Sequence, residues 1–290
     1  VPGQAMNYRH AYHAGNFADV IKHIILTRVL TYLKHKEAPF FVLDTHAGTG
    51  RYDLTDTEAK KTLEFERGVS RYVEAIKTAP EEIRTLCAPF DTLMQSLNPD
   101  RLVTYPGSPL VAQSMIRRHD RLSLVELHPV DFKQLTENFN WARNTKTHNL
   151  DAWVAMRAQL PPKEKRGLVL IDPPFEDRDE FNAILRALYD ARKRFANGTY
   201  LAWYPIKDMA MIASFRDVLS GMELGKTLDI RLTIDQPGEE PAFIGSGMVI
   251  INPPYVLKEE LDTLLPWLTQ LFEAEKGLGS YSIDEVVPEK

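Results

Sequence analysis

Short apolar runs that close on an acid recur three times along this 290-residue chain, and few folds accommodate them. PFFVLD (39–44), LSLVEL (122–127) and GLVLID (167–172) bring Asp44, Glu126 and Asp172 to their C-terminal ends. Apolar runs this brief and this continuous predict buried strands rather than helices. Further strands are expected near THNL (147–150), TYLAWYP (199–205), KTLDIRLTID (226–235) and SGMVIIN (246–252). Ala18–Lys34 has the spacing of an amphipathic helix, and helical patterns recur at Glu180–Phe195, Met209–Leu219 and Lys258–Phe272. Strands alternating with helices predict an α/β fold with a mostly parallel, doubly wound sheet. Such sheets bind ligands outside the carboxyl ends of their strands, where the loop after the first strand stands.

One spacing is irregular. Seventy-seven residues separate the first two acid-ended runs, whereas a strand–helix–strand unit needs only about 30. The excess reads as helices at Glu58–Lys77 and Glu81–Leu97, punctuated by Pro80, Pro89 and Pro99. The expected organisation is therefore 1–52 (N-terminal segment, first helix, first strand and its loop), 53–104 (a small helical insertion) and 105–290 (the rest of the same domain). After the insertion YPGSP is expected to restart a helix, with Ser108 as N-cap and Pro109 in its first turn.

Composition narrows the class. The chain is 44% hydrophobic with a net charge of −5, so it is globular and does not coat nucleic acid by bulk charge. A local basic patch remains open: residues 1–36 hold Arg9, Lys22, Arg28, Lys34 and Lys36 against the single acid Asp19. No apolar run approaches the roughly 20 residues of a membrane span, and no signal peptide is legible. Met6 reads as the natural start, and Val1–Ala5 are given no role. The lone Cys87 rules out an internal disulfide or a multi-cysteine zinc site and fits a reducing cytoplasm.

The loop after the first strand, DTHAGTG, carries Gly48 and Gly50. They would let backbone approach a ligand, but the same loop reads equally well as a strand-end turn. It matches neither G-x-G-x-x-G nor a Walker loop. Glu126 is placed to accept both hydroxyls of a ribose. Asp151 could accept from an adenine amino group, though an acid at a strand end is also a good turn residue.

The strongest motif is Asp172-Pro173-Pro174-Phe175. Two prolines stiffen the turn and donate no N–H, leaving the Asp172 carboxylate and the Pro173 carbonyl as acceptors beside the Phe175 ring. That set suits an aromatic amine. Two acceptors on its hydrogens favour a pyramidal nitrogen whose lone pair can attack a methyl sulfonium in line. Stacking on Phe175 would contribute about 1–3 kcal/mol. Zinc deamination, the competing chemistry on adenine, lacks its Cys-x-x-Cys. A second match, Asn252-Pro253-Pro254-Tyr255, is followed by too few residues for further strands; it reads as a structural turn ending the last strand.

DTHAGTG, LVELHP and LIDPPF, in that order, resemble the motifs of class I S-adenosylmethionine-dependent methyltransferases acting on adenine N6. NYRHAYHAGNFADVIKH, LDTHAGTGRY, YPGSP, AWYP and SGMVIINPP together are similar to one bacterial family, large-subunit methyltransferase J, which methylates 23S ribosomal RNA. The resemblance runs from Asn7 to the C-terminus. It implies a Rossmann-like, seven-stranded methyltransferase sheet and a cytoplasmic monomer. The implied substrate is protein-free 23S rRNA, methylated on adenine 2030, with S-adenosyl-L-homocysteine as product. It places His23, His46, Ser108, Glu126, Asp151 and Ala152 at the cofactor, with Gly48 in the loop and Asp172 touching both cofactor and target. Ala152 stands where glycine is expected, and Phe175 where tyrosine is expected. Tyr8, His10, Lys22 and His23 are implied to close the pocket and meet the target base; the competing reading is a helix cap with satisfied histidines. His119 and His128 read as structural or solvated. A DNA-adenine or protein-glutamine methyltransferase, or a catalytically silent RNA-binding protein on the same fold, remain the alternatives.

Overall fold

The computed structural model describes residues 12–177, 179–238 and 241–287. Ten strands are present among them: β1 (Phe41–Asp44), β2 (Arg51–Asp53), β3 (Thr104–Pro106), β4 (Arg121–Val125), β5 (Thr145–His148), β6 (Gly167–Ile171), β7 (Gly198–Ile206), β8 (Thr227–Thr233), β9 (Gly245–Ile251) and β10 (Ser280–Val287). Eight form the main sheet in the order β10-β8-β9-β7-β6-β1-β4-β5, while β2 and β3 pair separately as an antiparallel ribbon. The strands β5, β4, β1, β6 and β7 are parallel; β9 runs against both β7 and β8, and β10 against β8.

All seven anticipated strands form, and β10 makes an eighth, which corrects the expectation that too few residues follow NPPY for a further strand. Its half-exposed, polar residues give an edge strand little hydrophobic signature. NPPY therefore ends β9, not the last strand.

The helices are α1 (Phe17–Lys34), α2 (Thr57–Thr62), α3 (Glu64–Arg67), α4 (Val69–Ala75), α5 (Glu81–Leu97), α6 (Ser108–Met115), α7 (Pro129–Phe139), α8 (Ala152–Gln159), α9 (Glu180–Arg194), α10 (Met209–Ser220) and α11 (Leu257–Phe272). No helix among the described residues is long and apolar enough to cross a membrane. The run expected as one helix over 58–77 is broken twice, by Leu63 in the left-handed region (φ 52°) and by Gly68. A Cβ at Gly68 would sit 2.1 Å from the Gly15 carbonyl oxygen, so only glycine lets this segment press against the chain entering α1.

Two apolar layers cover the sheet. One face is packed by α8, α9 and α10. The other is packed by α1, α6 and α11, and the same continuous core takes in Val69, Tyr72, Ile83 and Phe90 from the segment between β2 and β3. This second layer corrects the expectation of an amphipathic α1. Of its eighteen residues only Arg28, Thr31, Tyr32 and Lys34 are not buried. Flanked by α5, α6 and α11, the helix carries Asp19, Lys22 and His23 inside the molecule, not on a solvated face. Buried charges must be paired or ligand-facing.

Candidate active site

The carboxyl ends of β1, β4, β5 and β6 converge on one cleft. It is lined by the β1 loop (Thr45–Gly48), Glu126, Asp151, Trp153, Ser108, His23, Lys22 and the Asp172 turn. The loop is stitched to both neighbouring strands: Thr45 N–H donates to Leu170 O (3.0 Å) and Ala47 N–H to Val125 O (2.9 Å). Gly48 and Gly50 both have positive φ (57° and 74°). A Cβ on Gly48 would stand 2.2 Å from the Tyr52 hydroxyl, so the conformation and the close approach both require glycine.

The acids at the strand ends are held differently. Glu126 accepts the Gly48 N–H at 2.8 Å and the His128 N–H at 2.7 Å. Burial raises its pKa despite these two bonds. Asp151 caps α8, accepting the Val154 N–H at 2.9 Å. Its own turn role and a place in the cleft therefore coexist. Ala152 opens α8 and is not among the residues with positive φ, so alanine in place of glycine carries no backbone strain here. Ser108 is not the N-cap of α6; Gly107 occupies that position. The Ser108 hydroxyl donates instead to Asp44 Oδ2 (2.7 Å).

Asp44, buried, and His46, half-buried, form a step between the loop and the Asp172 turn. Burial pushes the Asp44 carboxyl up to about 7; the Ser108 bond opposes this and the nearby Asp172 adds to it. Burial drives His46 down to about 4, so its ring is neutral. His46 Nδ1 lies 2.8 Å from Thr45 Oγ1, whose hydroxyl is already committed to Leu170 O at 2.9 Å. The Asp172 N–H also donates to His46 Nδ1, at 3.4 Å, which links the ring to the Asp172 turn.

A pH prediction follows from this pair in the ligand-free protein. The unfolded chain releases the Asp44 proton near 3.8 and the folded protein holds it to about 7. Asp44 therefore subtracts stability as pH rises through that interval. His46 acts in the opposite sense between about 4 and 6.5. In urea unfolding across pH, Asp44→Asn is expected to match the wild type near pH 4 and to become the more stable form by pH 7–8. A stability gap independent of pH would contradict this assignment.

The Asp172 turn lies at the tip of β6. Asp172 pairs with Lys22 Nζ, which also meets Asp19 Oδ1 at 2.8 Å. Burial opposes the Lys22 charge, yet Asp172 and Asp19 together raise its pKa above the ordinary value, so it remains a cation. Its ammonium stands 5.6 Å from the centroid of the Trp203 ring. Pro173 is buried, and Phe175 adopts a left-handed backbone (φ 53°) that turns its ring onto Phe181 (5.0 Å) and the edge of Trp203 (5.6 Å). A left-handed non-glycine residue is strained and persists where its surroundings fix it. His23, 1% exposed, stacks on Tyr105 and bonds its hydroxyl at 2.8 Å. His128, read as structural, caps α7. His13 pairs with Glu64 at 2.8 Å.

A second, smaller cleft adjoins the first across Lys22, Asp172 and Pro174, and its walls are Phe175, Trp203, Phe243 and Lys207. The sequence reading had missed Asp44, Tyr52, Trp153, Trp203 and Phe243. Asp44 had a signal, since it ends its strand as Glu126 and Asp172 do. Tyr8 and His10 lie outside the described residues. The NPPY turn is at the opposite edge of the sheet: β9 is antiparallel, so Asn252 arrives beside the start of β7, where it accepts from Thr199 Oγ1 (2.9 Å).

The chain is similar to known proteins over nearly its whole length. The family described as "Ribosomal RNA large subunit methyltransferase D, RlmJ" matches residues 37–287. The chain is 39% identical over 289 residues to ribosomal RNA large subunit methyltransferase J of Haemophilus influenzae, covering 98% of this chain and 100% of that protein. It is 36% identical over 285 residues to the Escherichia coli K12 protein of the same name, with the same coverage. A crystal structure of a Legionella pneumophila protein superposes with a TM-score of 0.86 at 37% identity, covering 94% of this chain and 98% of that one.

Proposed function

We propose that this chain, which belongs to the ribosomal RNA large subunit methyltransferase J family, methylates the N6 amino group of an adenine in 23S rRNA, adenine 2030 by family resemblance. The observation that carries this reading is the meeting of two clefts at Asp172, Pro174 and Lys22.

The larger cleft suits S-adenosylmethionine, which when bound supplies an electrophilic methyl group on a sulfonium. Its acids, Glu126, Asp131, Asp151 and Asp172, favour a ligand bearing positive charge. Both Glu126 oxygens retain lone pairs for ribose hydroxyls beyond their backbone bonds. Neutral His46 adds no repelling charge.

The smaller cleft suits a planar base. Phe175, Trp203 and Phe243 offer ring faces and edges, and a base reaching them must leave its stack. Asp172 and the Pro173 carbonyl would take the two N6 hydrogens and turn the nitrogen lone pair toward the methyl carbon. Lys22 fixes the carboxylate's position. Phe175 orients by stacking; with no hydroxyl it adds no polar contact. Lys207, whose ammonium is 5.8 Å from the Phe243 ring centroid, stands where it can meet a backbone phosphate.

Transfer of labelled methyl from S-adenosylmethionine to protein-free 23S rRNA, duplex DNA and total protein tests the acceptor. Label is expected in the rRNA alone. Equal or greater incorporation into DNA or protein would overturn the reading.

A further inference from the structure

We propose that the sheet edge opposite the methyl-transfer cleft is a second docking surface for the RNA. On it, Tyr255 would be a platform for an unpaired base, and Lys36 and Lys165 would contact phosphates. This rests on the reading that rRNA is the substrate.

Register places these residues together. Phe41 pairs with both Arg121 and Gly167, so the segments preceding β1, β4 and β6 leave the sheet by one edge. The antiparallel β9 delivers Asn252-Pro253-Pro254-Tyr255 to that same edge. A groove runs between this turn and the end of α1, with Tyr32, Lys36, Lys165 and Tyr255 along it.

Charge divides the molecule. The strand ends at the methyl-transfer cleft present Glu126, Asp151 and Asp172, with Asp131 behind them, acids that disfavour phosphate. The opposite edge exposes Lys34, Lys36, Arg118, Lys163 and Lys165. Two of its acids are already matched, Asp120 by Arg117 and Glu164 by Arg121, each at 2.9 Å. Glu37 stands exposed beside the lysines. A polyanion drawn to a protein of net charge −5 needs such a local patch, because phosphate contacts supply most of its affinity.

The groove also carries an aromatic surface and unusual backbone. Tyr255 is 78% exposed and stands edge-on to Tyr32 at 5.8 Å. Four described non-glycine residues have positive φ: one is Phe175 in the Asp172 turn, and two, Lys165 (57°) and Asn252 (53°), both line this groove. The Asn252 side chain is tied to the Asn197 and Gly198 carbonyls (3.4 and 3.3 Å), which sets the turn that projects Tyr255. Exposed aromatic faces interleaved with cations are the requirement for gripping single-stranded nucleic acid. Five residues of β6 separate the two edges, roughly 17 Å at ~3.3 Å per residue, a distance a folded RNA spans.

The test is the KM for unmodified 23S rRNA transcript as a function of salt, using full-length wild type, Tyr255→Ala and the double variant Lys36→Gln/Lys165→Gln. Tyr255→Ala is expected to raise KM for rRNA about tenfold. The double variant should flatten the plot of log KM against log salt by about 1.5. In both, kcat at saturating RNA, KM for S-adenosylmethionine and the melting temperature should hold at wild-type values. Variants indistinguishable from an active wild type in KM and slope would overturn this docking surface and leave the methyltransferase reading intact. A wild type with no affinity for rRNA would overturn both.

Discussion

Asp172→Asn is expected to lower kcat by about 10²–10³-fold while binding S-adenosylmethionine nearly as well as the wild type. The side chain keeps its size and one carbonyl acceptor, so the turn and the Lys22 contact geometry survive. What it loses is the negative charge facing the nitrogen as positive charge develops there. An amide also presents a donor where the base presents hydrogens. Steady-state kinetics on rRNA together with cofactor binding by calorimetry separates the two effects. A variant that loses cofactor affinity in proportion to rate would mean that Asp172 serves chiefly as a binding residue.

Lys22→Met is expected to cost about 3–5 kcal/mol of stability, because it leaves the buried Asp19 and the half-buried Asp172 without their cation. Lys22 is 3% exposed, so water does not take its place cheaply. Asp19→Asn combined with Lys22→Met removes one stranded charge and should recover part of the stability. Activity should stay low in the double variant, since the Asp172 carboxylate is still unanchored. Full recovery of turnover together with stability would show that Lys22 acts on the fold alone.

These two residues also show where sequence reasoning reached and where it stopped. Asp172 was legible because a strand ending in an acid, followed by two prolines and an aromatic, has few structural uses. The NPPY copy was set aside on the premise that no strand follows it; β10 does follow, and it is the antiparallel β9 that carries the copy to the far edge. Lys22 was legible only through family resemblance. Its helix looked amphipathic, and nothing local to the run reveals that α5, α6 and α11 close over nearly all its faces. The burial of Asp19 beside it is a tertiary outcome.

Other gaps have similar causes. The acceptor walls Trp203 and Phe243 come from β7 and from the segment between β8 and β9, far from any motif, and only the sheet order brings them to Asp172. Ser108 has the residue type of a cap, but Gly107 holds the N-cap position and the Ser108 hydroxyl goes to the carboxyl of Asp44. β10 alternates too weakly to announce itself.

The measurement that bears most directly on the Asp172 turn is the identity of the methylated nucleoside. After reaction with labelled S-adenosylmethionine, 23S rRNA is digested to nucleosides and the label is assigned by chromatography and mass. The wild type should place it in N6-methyladenosine, and Asp172→Asn should place almost none. Label in a methylated ribose, a cytosine or a guanine, or undiminished N6-methyladenosine from Asp172→Asn, would contradict the account.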